Sequence, residues 1–146
     1  PNMNRVETLG FDCFWRCTKL SGDINLPNLK TTGYSCFQDT AVTSASNLGT
    51  ITTTDRTFKG CKQLKSATLP ATITSVGRET FRSCLSLSHI KILAETPPSL
   101  GALAFDGTNS TFLIYVPNDS VEAYKTATNW SAYADRIKPI SEMPTE

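Results

Sequence analysis

The hydrophobic pattern along the chain repeats with a period of about 23 residues. Phenylalanine recurs at intervals of 23, 21, 23 and 24 residues, at Phe14, Phe37, Phe58, Phe81 and Phe105. A small residue precedes each of these phenylalanines, and a second small residue follows three positions later. Such self-similarity is typical of a solenoid, in which each coil places the same side chain above its counterpart in the next coil. The spacing predicts a solenoid of about five coils with one column of stacked phenylalanine rings.

Within a coil, the second small residue is followed by the pattern Leu-x-x-apolar-x-apolar. It is clearest at Leu64, Ala67 and Leu69, just before Pro70. This alternation predicts a short strand that ends at the proline, and stacked coils would pair such strands in parallel. Segment 77–84 lacks alternation and contains good helix formers, which predicts a short helix or 3₁₀ turn.

The polar positions of these strands predict an exposed face. Alternate side chains of a strand point to opposite sides, so stacking should align the outward residues in two columns. We expect the columns to be acidic and polar at one end and basic and aromatic at the other. The candidate binding residues are Asp23, Asn25, Ser44, Ser46, Ser66, Thr68, His89, Lys91, Leu113 and Tyr115. Repeat proteins often bind through such faces, and a merely solvated sheet is the alternative.

The C-terminal part of the chain has a different pattern. Ser120 is predicted to cap a helix, with Glu122 in its first turn. A change of phase near Asn129 predicts two short helices instead of one. The aromatic pair Trp130 and Tyr133 is expected to cover the last coil, with a sugar-binding platform as the alternative. The predicted result is a small helical cap.

These patterns divide the chain into three parts. Residues 1–117 are predicted to form the solenoid, residues 118–140 a capping segment, and residues 141–146 a flexible tail. No comparable capping sequence precedes Val6. An uncapped solenoid end leaves a strand edge unpaired, which indicates either upstream coils or end-to-end self-association at the N-terminal edge.

Charge and hydropathy exclude several classes of partner. The 14 basic and 13 acidic side chains give a net charge of +1, without the basic excess that nucleic-acid binding needs. The longest apolar run, 112–116, is far shorter than the roughly 20 residues of a membrane-spanning helix. No charged and apolar leader opens the sequence, as expected of a mature form or an excised fragment. We therefore predict neither a nucleic-acid partner nor a transmembrane segment in this chain.

Residues with reactive side chains are few. The five cysteines are Cys13, Cys17, Cys36, Cys61 and Cys84. No pair of them has zinc-finger spacing, and Thr or Ala replaces them in other coils, so we expect five free, mostly buried thiols and no metal or cofactor. His89 is the one histidine, and no G-x-S-x-G elbow is present. The sequence thus predicts a protein that is not an enzyme.

Two stretches carry a resemblance to a known family. Ile-Thr-Ser-Val-Gly-Arg-Glu-Thr-Phe-Arg-Ser-Cys at 73–84 and Phe-Lys-Gly-Cys-Lys-Gln-Leu-Lys-Ser-Ala-Thr-Leu-Pro at 58–70 resemble the BspA-type leucine-rich repeat. The segment 115–124 is similar to the end module of many such proteins. The resemblance implies a right-handed leucine-rich-repeat solenoid of short parallel strands. It also implies a secreted or surface-anchored protein of gut or oral anaerobic bacteria, or of some protozoan parasites.

The functional expectation follows from the same resemblance. It implies a secreted or cell-surface binding and adhesion module, whose partner is a protein on a host or neighbouring cell, with a glycan as the other candidate. The alternative is a structural spacer that displays part of a longer surface protein.

Overall fold

The computed structural model describes residues 3–144. Its strands are short. They are Thr8–Leu9 (β1), Ser21–Asn25 (β2), Thr31–Thr32 (β3), Ala41–Asn47 (β4), Thr53–Thr54 (β5), Ser66–Leu69 (β6), Ser75–Val76 (β7), His89–Ile92 (β8), Ser99–Leu100 (β9), Leu113–Val116 (β10) and Ile137–Pro139 (β11). One α-helix, Val121–Thr126 (α1), lies between 3₁₀ helices at Asn118–Ser120 and Trp130–Arg136, and a further 3₁₀ helix spans Ile140–Glu142.

The strands form parallel sheets that follow the coils. One sheet has six strands in the order β2-β4-β6-β8-β10-β11, and two smaller sheets have the orders β1-β3 and β5-β7-β9. Every recorded strand pair is parallel. The register of the large sheet aligns one buried apolar residue per strand, namely Ile24, Ala45, Ala67, Ile90, Ile114 and Ile137. The predicted solenoid of short parallel strands is confirmed.

The phenylalanines stack in one column along the solenoid. Neighbouring ring centroids from Phe14 to Phe105 are 5.5, 5.6, 5.8 and 5.7 Å apart, and the ring planes lie within 11° of parallel. The three interior rings are fully or almost fully buried, whereas Phe14 in the first coil is half-buried. The column is continuous with the apolar side chains that point inward from the sheet, so the domain has one core.

Each coil turns through two corners around its column phenylalanine. The residues two positions before and two positions after the phenylalanine both have positive φ. They are Asp12, Ser35, Arg56, Glu79 and Leu103 before it, and Arg16, Asp39, Gly60, Ser83 and Gly107 after it. Left-handed residues interrupt a right-handed helix, so segment 77–84 does not form the helix that was one of its two predicted forms. It forms turns closed by i to i+3 hydrogen bonds, in which the Arg82 amide donates to the Glu79 carbonyl and the Cys84 amide to the Phe81 carbonyl.

These corners are held by hydrogen bonds between coils. Three peptide N–H groups of each of the first four coils donate to carbonyls of the next coil, over distances of 2.8–3.0 Å. In the second coil, for example, the amide of Phe37 donates to Thr57, and the carbonyl of Cys36 in the same peptide unit accepts from Phe14. The peptide units therefore stack head to tail in three rows. We call the surface that these rows form the corner wall.

The C-terminal segment covers the last coil. The Trp130 ring is fully buried with its centroid 6.1 Å from that of Phe105, and its Nε1 donates to the Pro98 carbonyl at 2.6 Å. The hydroxyl of Ser120 does not cap α1 as predicted; it donates to the Glu95 carbonyl at 2.7 Å and so ties the segment to the preceding coil. The segment also supplies β11, which adds a strand to the large sheet beyond the predicted helices.

The end of the chain contains more regular structure than expected. Within the predicted flexible tail, Ser141 belongs to the last 3₁₀ helix, and its amide donates to Asn118 Oδ1 at 3.0 Å. Residues 145 and 146 of the tail, and residues 1 and 2 of the predicted solenoid, lie outside the described residues.

Candidate functional site

The candidate site is the outward side of the six-stranded sheet, which we call the sheet face. Along each strand, its residues alternate with the buried apolar residues, because successive side chains of a strand point to opposite sides. The parallel register brings Ser44, Ser66, His89 and Leu113 into one row across the strands. A second row contains Thr68, Lys91 and Tyr115, and β11 extends it with Lys138.

At the N-terminal end of the sheet face, Asp23 is the organising residue. Its carboxylate accepts hydrogen bonds from Ser44 Oγ at 2.7 Å, from the Ser46 amide at 2.9 Å and from the Ser46 hydroxyl. Register shifts between β2 and β4 place Asn25 opposite Asn47 and not opposite Ser46. The predicted second column is therefore wrong at this point, because the bulge offsets the strand by one residue.

The middle of the sheet face is neutral. Ser66 and Thr68 on β6 are half-buried. Their side chains are short and project little from the sheet between its acidic end and its basic end.

At the C-terminal end, the predicted aromatic and basic residues come together. Tyr115 is only 5% exposed, so its predicted outward exposure is wrong. The register places it between Lys91 on β8 and Lys138 on β11, and the His89 ring packs edge-on against it with centroids 5.8 Å apart. Tyr115 is therefore a buried part of the basic end, flanked in the sheet by two lysine positions.

Lys138 is a member of the sheet face that sequence analysis missed. It lies on β11, in a segment where only helices were predicted. The alternation of Ile137, Lys138 and Pro139 before the chain end was the available signal. Three residues are too few for a strand to be assigned from alternation alone.

A charged cluster lies on the corner wall and not on the sheet face. Glu79 is 3% exposed and pairs with Lys59 at 2.5 Å, Arg78 at 3.2 Å and Arg82 at 3.5 Å. Its pKa is lowered, chiefly by the hydrogen bond to Lys59. Arg82 also reaches Asp106 at 3.1 Å. Because the carboxylate is enclosed by cations of its own chain, we assign this cluster a structural role.

An exposed aromatic group occupies the first two coils. Phe11 and Tyr34 are 68% and 41% exposed and stack with centroids 4.5 Å apart, and Arg56 lies over the Tyr34 ring at 4.9 Å. Trp15 is 45% exposed, with Arg16 over its ring at 4.8 Å. Phe11 and Tyr34 each precede a column phenylalanine by three positions, so they occupy equivalent positions in neighbouring coils. The repeat spacing was therefore a signal from which their stacking could have been predicted.

The cysteines follow the coil positions. Cys36, Cys61 and Cys84 are buried, whereas Cys13 and Cys17 in the first coil are exposed, and all five are free thiols. Burial raises the pKa of Cys36 to about 12 and also raises the pKa values of Cys61 and Cys84. The last two thiols donate to carbonyls of column phenylalanines in the preceding coil, at 3.0 and 3.1 Å. Thiols so held are unreactive fillers.

Stacked coils with one parallel strand each, an inward column of apolar residues and an outward polar face define a leucine-rich-repeat solenoid. The sequence model of the BspA type leucine rich repeat region matches residues 2–112 in six copies. The chain therefore belongs to the BspA-type leucine-rich-repeat family, as the repeat motifs predict. A search among curated proteins finds no match to the chain.

Membership in the BspA-type family indicates a general type of role. Leucine-rich-repeat families are generally non-enzymatic, and they point to a role in protein interaction or at a surface. BspA-type members are typically surface-associated. In residues 3–144, no helix has both the length and the apolar character that a membrane crossing requires.

Proposed function

We propose that this chain is a secreted or cell-surface adhesion module that binds another protein through the sheet face. The partner lies on a host or neighbouring cell, and a glycan is the second candidate. Asp23, Ser44, Ser46, Ser66, Thr68, His89, Lys91 and Leu113 remain the proposed contact residues, with Asn25 at the edge strand and Tyr115 beneath the basic end.

The observation that carries this proposal is that the residues that stabilise the fold are different from the residues that the sheet face exposes. The inward residues and the backbone hydrogen bonds between coils hold the solenoid together, whereas the sheet-face side chains contribute little to the core. A surface of this kind can change its side chains without losing its fold, and repeat proteins use such surfaces for binding. The face also carries opposite charges at its two ends, which can orient a partner.

The test is capture of extracellular proteins and glycans on arrays by the labelled chain. A blocking variant carries Ser66→Arg and Thr68→Arg in the middle of the sheet face. Its matched control carries Thr52→Arg and Ser86→Arg, which make the same changes at exposed positions off the large sheet. We expect the wild type and the control to capture the same protein, and the blocking variant to lose it while keeping its melting temperature.

The alternative role, a structural spacer in a longer surface protein, predicts a different result. A spacer gives no capture that depends on the sheet face, so equal signals from the blocking variant and the control would reject the binding proposal. End-to-end self-association at the N-terminal edge also stays a prediction. Strand β2 is the edge strand there, and sedimentation at increasing concentration measures whether copies pair through it.

A further inference from the structure

The charges of the large sheet are unevenly distributed among its strands. The six strands contain three residues with a permanent charge: Asp23 on β2, Lys91 on β8 and Lys138 on β11. The negative charge is thus on one edge strand, and both positive charges are on the opposite half. Charges farther apart than about 8 Å are largely screened at physiological salt, so each end presents its own sign to a partner.

The two lysines are held near one another. Lys91 and Lys138 are both aligned with Tyr115, one on each side of it. Adjacent strands lie about 4.8 Å apart, so the two lysine backbones are about 10 Å apart. Both side chains are half-buried. Their aliphatic stems can pack beside the buried ring while the ammonium groups reach the surface.

Neither lysine forms an ion pair with another described residue. This distinguishes them from Lys59, which pairs with the buried Glu79 on the corner wall. Two neighbouring, unpaired ammonium groups in a partly desolvated setting are a favourable place for an anion, because the anion relieves their mutual repulsion.

From this arrangement we infer that the β8–β10–β11 end of the sheet face binds an acidic peptide segment of the partner protein, with carboxylates at alternate positions. The inference rests on the proposed binding function. An extended peptide places residues i and i+2 on the same side, about 6.6 Å apart, within reach of both flexible lysine side chains. The carboxylate of Asp23 repels such a segment from the other end and so fixes which end of the sheet face it occupies.

The experiment is a titration of the isotope-labelled 146-residue chain, followed by amide chemical shifts. The probe is the blocked peptide Gly-Ser-Glu-Ser-Glu-Ser-Gly, with versions that carry Gln or Lys in place of Glu, and a heparin fragment as a sulfated-sugar arm. We expect the Glu peptide to shift amides of β8, β10 and β11, to bind at least tenfold more tightly than the Gln peptide, and to weaken as salt is raised.

Matched variants test the residues. Lys91→Gln with Lys138→Gln should reduce binding of the Glu peptide at least tenfold, whereas Lys62→Gln with Lys125→Gln removes the same charge off the sheet and should leave it unchanged. Gln keeps the aliphatic stem, and an unchanged melting temperature verifies the fold. The inference is overturned if Glu and Gln peptides bind alike, if the shifts map to other strands, or if only the heparin fragment binds.

Failure of this inference is distinguishable from failure of the proposed function. A partner captured on the arrays, lost with the Ser66 and Thr68 blocking variant but retained by the Lys91 and Lys138 variant, leaves the binding function standing and removes the acidic-segment inference. Absence of any face-dependent capture removes the binding function itself.

Discussion

Truncation of one ring in the phenylalanine column gives a sharp test of the fold's energetics. Phe58 is fully buried and stacks on Phe37 at 5.6 Å and on Phe81 at 5.8 Å. Replacing a buried phenylalanine by alanine costs about 3–5 kcal/mol in lost transfer free energy and cavity formation. Each aromatic pair contributes about 0.5–1.5 kcal/mol, so the two lost pairs account for about 1–3 kcal/mol of it.

Two further variants separate packing from position. Phe58→Leu keeps most of the apolar volume and loses both stacked pairs, so we expect it to cost about 1–3 kcal/mol. Phe14→Ala makes the same truncation at the end of the column, where the ring is half-buried and has one stacked neighbour. We expect it to cost about half as much as Phe58→Ala, because less apolar area leaves water on folding at that position.

The assay is equilibrium unfolding in urea, followed by far-ultraviolet circular dichroism and by fluorescence of the buried Trp130. Coincident transitions and an unchanged slope with denaturant justify reading the midpoint shift as a change in the free energy of unfolding. Equal losses for Phe58→Ala and Phe14→Ala would refute this account of the column's energetics, in which burial and the number of stacked neighbours set the cost. So would a Phe58→Leu variant as stable as the wild type.

Three further predictions concern charge, backbone and thiols. Glu79→Gln should lower the free energy of unfolding by about 1–3 kcal/mol at neutral pH. Because the pKa of Glu79 is lowered in the folded protein, the stabilisation from its charged carboxylate is complete above pH 4.5 and disappears as the pH falls through the lowered pKa. The wild type and the variant should therefore have the same stability in urea melts at acid pH. Gly60→Ala should destabilise, because Gly60 has positive φ and the added Cβ would lie 2.0 Å from Asp39 Oδ1. Leu103→Gly, at an exposed corner residue that also has positive φ, should stabilise or be neutral; calorimetry measures both. A thiol reagent without reductant should label the two exposed cysteines in the native protein and five after denaturation, and a lower total would contradict free thiols.

The repeat made the fold predictable from sequence. The phenylalanine column and the parallel strands follow from spacing, because identical coils can bury their apolar positions only against each other. The corners could not be predicted in this way. Glu79 and Ser83 adopt positive φ although their local sequence favours a helix, and the hydrogen bonds between coils compensate for that backbone cost.

The sheet face was predictable in part. Strand alternation selected Ser66, His89 and Lys91 correctly as outward residues, since it depends only on the strand itself. The burial of Tyr115 and the position of Lys138 depend on β11, which comes from a segment more than 20 residues further along the chain. The offset of Asn25 comes from a bulge, and nothing in the alternating pattern signals an extra residue in a strand.

The three rows of stacked peptide units make the corner wall electrically polar. Each unit points its carbonyl toward the first coil and its N–H toward the capped end. Each peptide group has a dipole of about 3.5 D, and groups hydrogen-bonded in series polarise one another. The peptide dipoles of a row therefore add as they do in a helix, although here the row is perpendicular to the direction of the chain. This permanent dipole is negative at the end where Asp23 lies and positive toward Lys91 and Lys138. The backbone and the side chains therefore act in the same sense, and together they would turn an approaching charged molecule before the two surfaces touch.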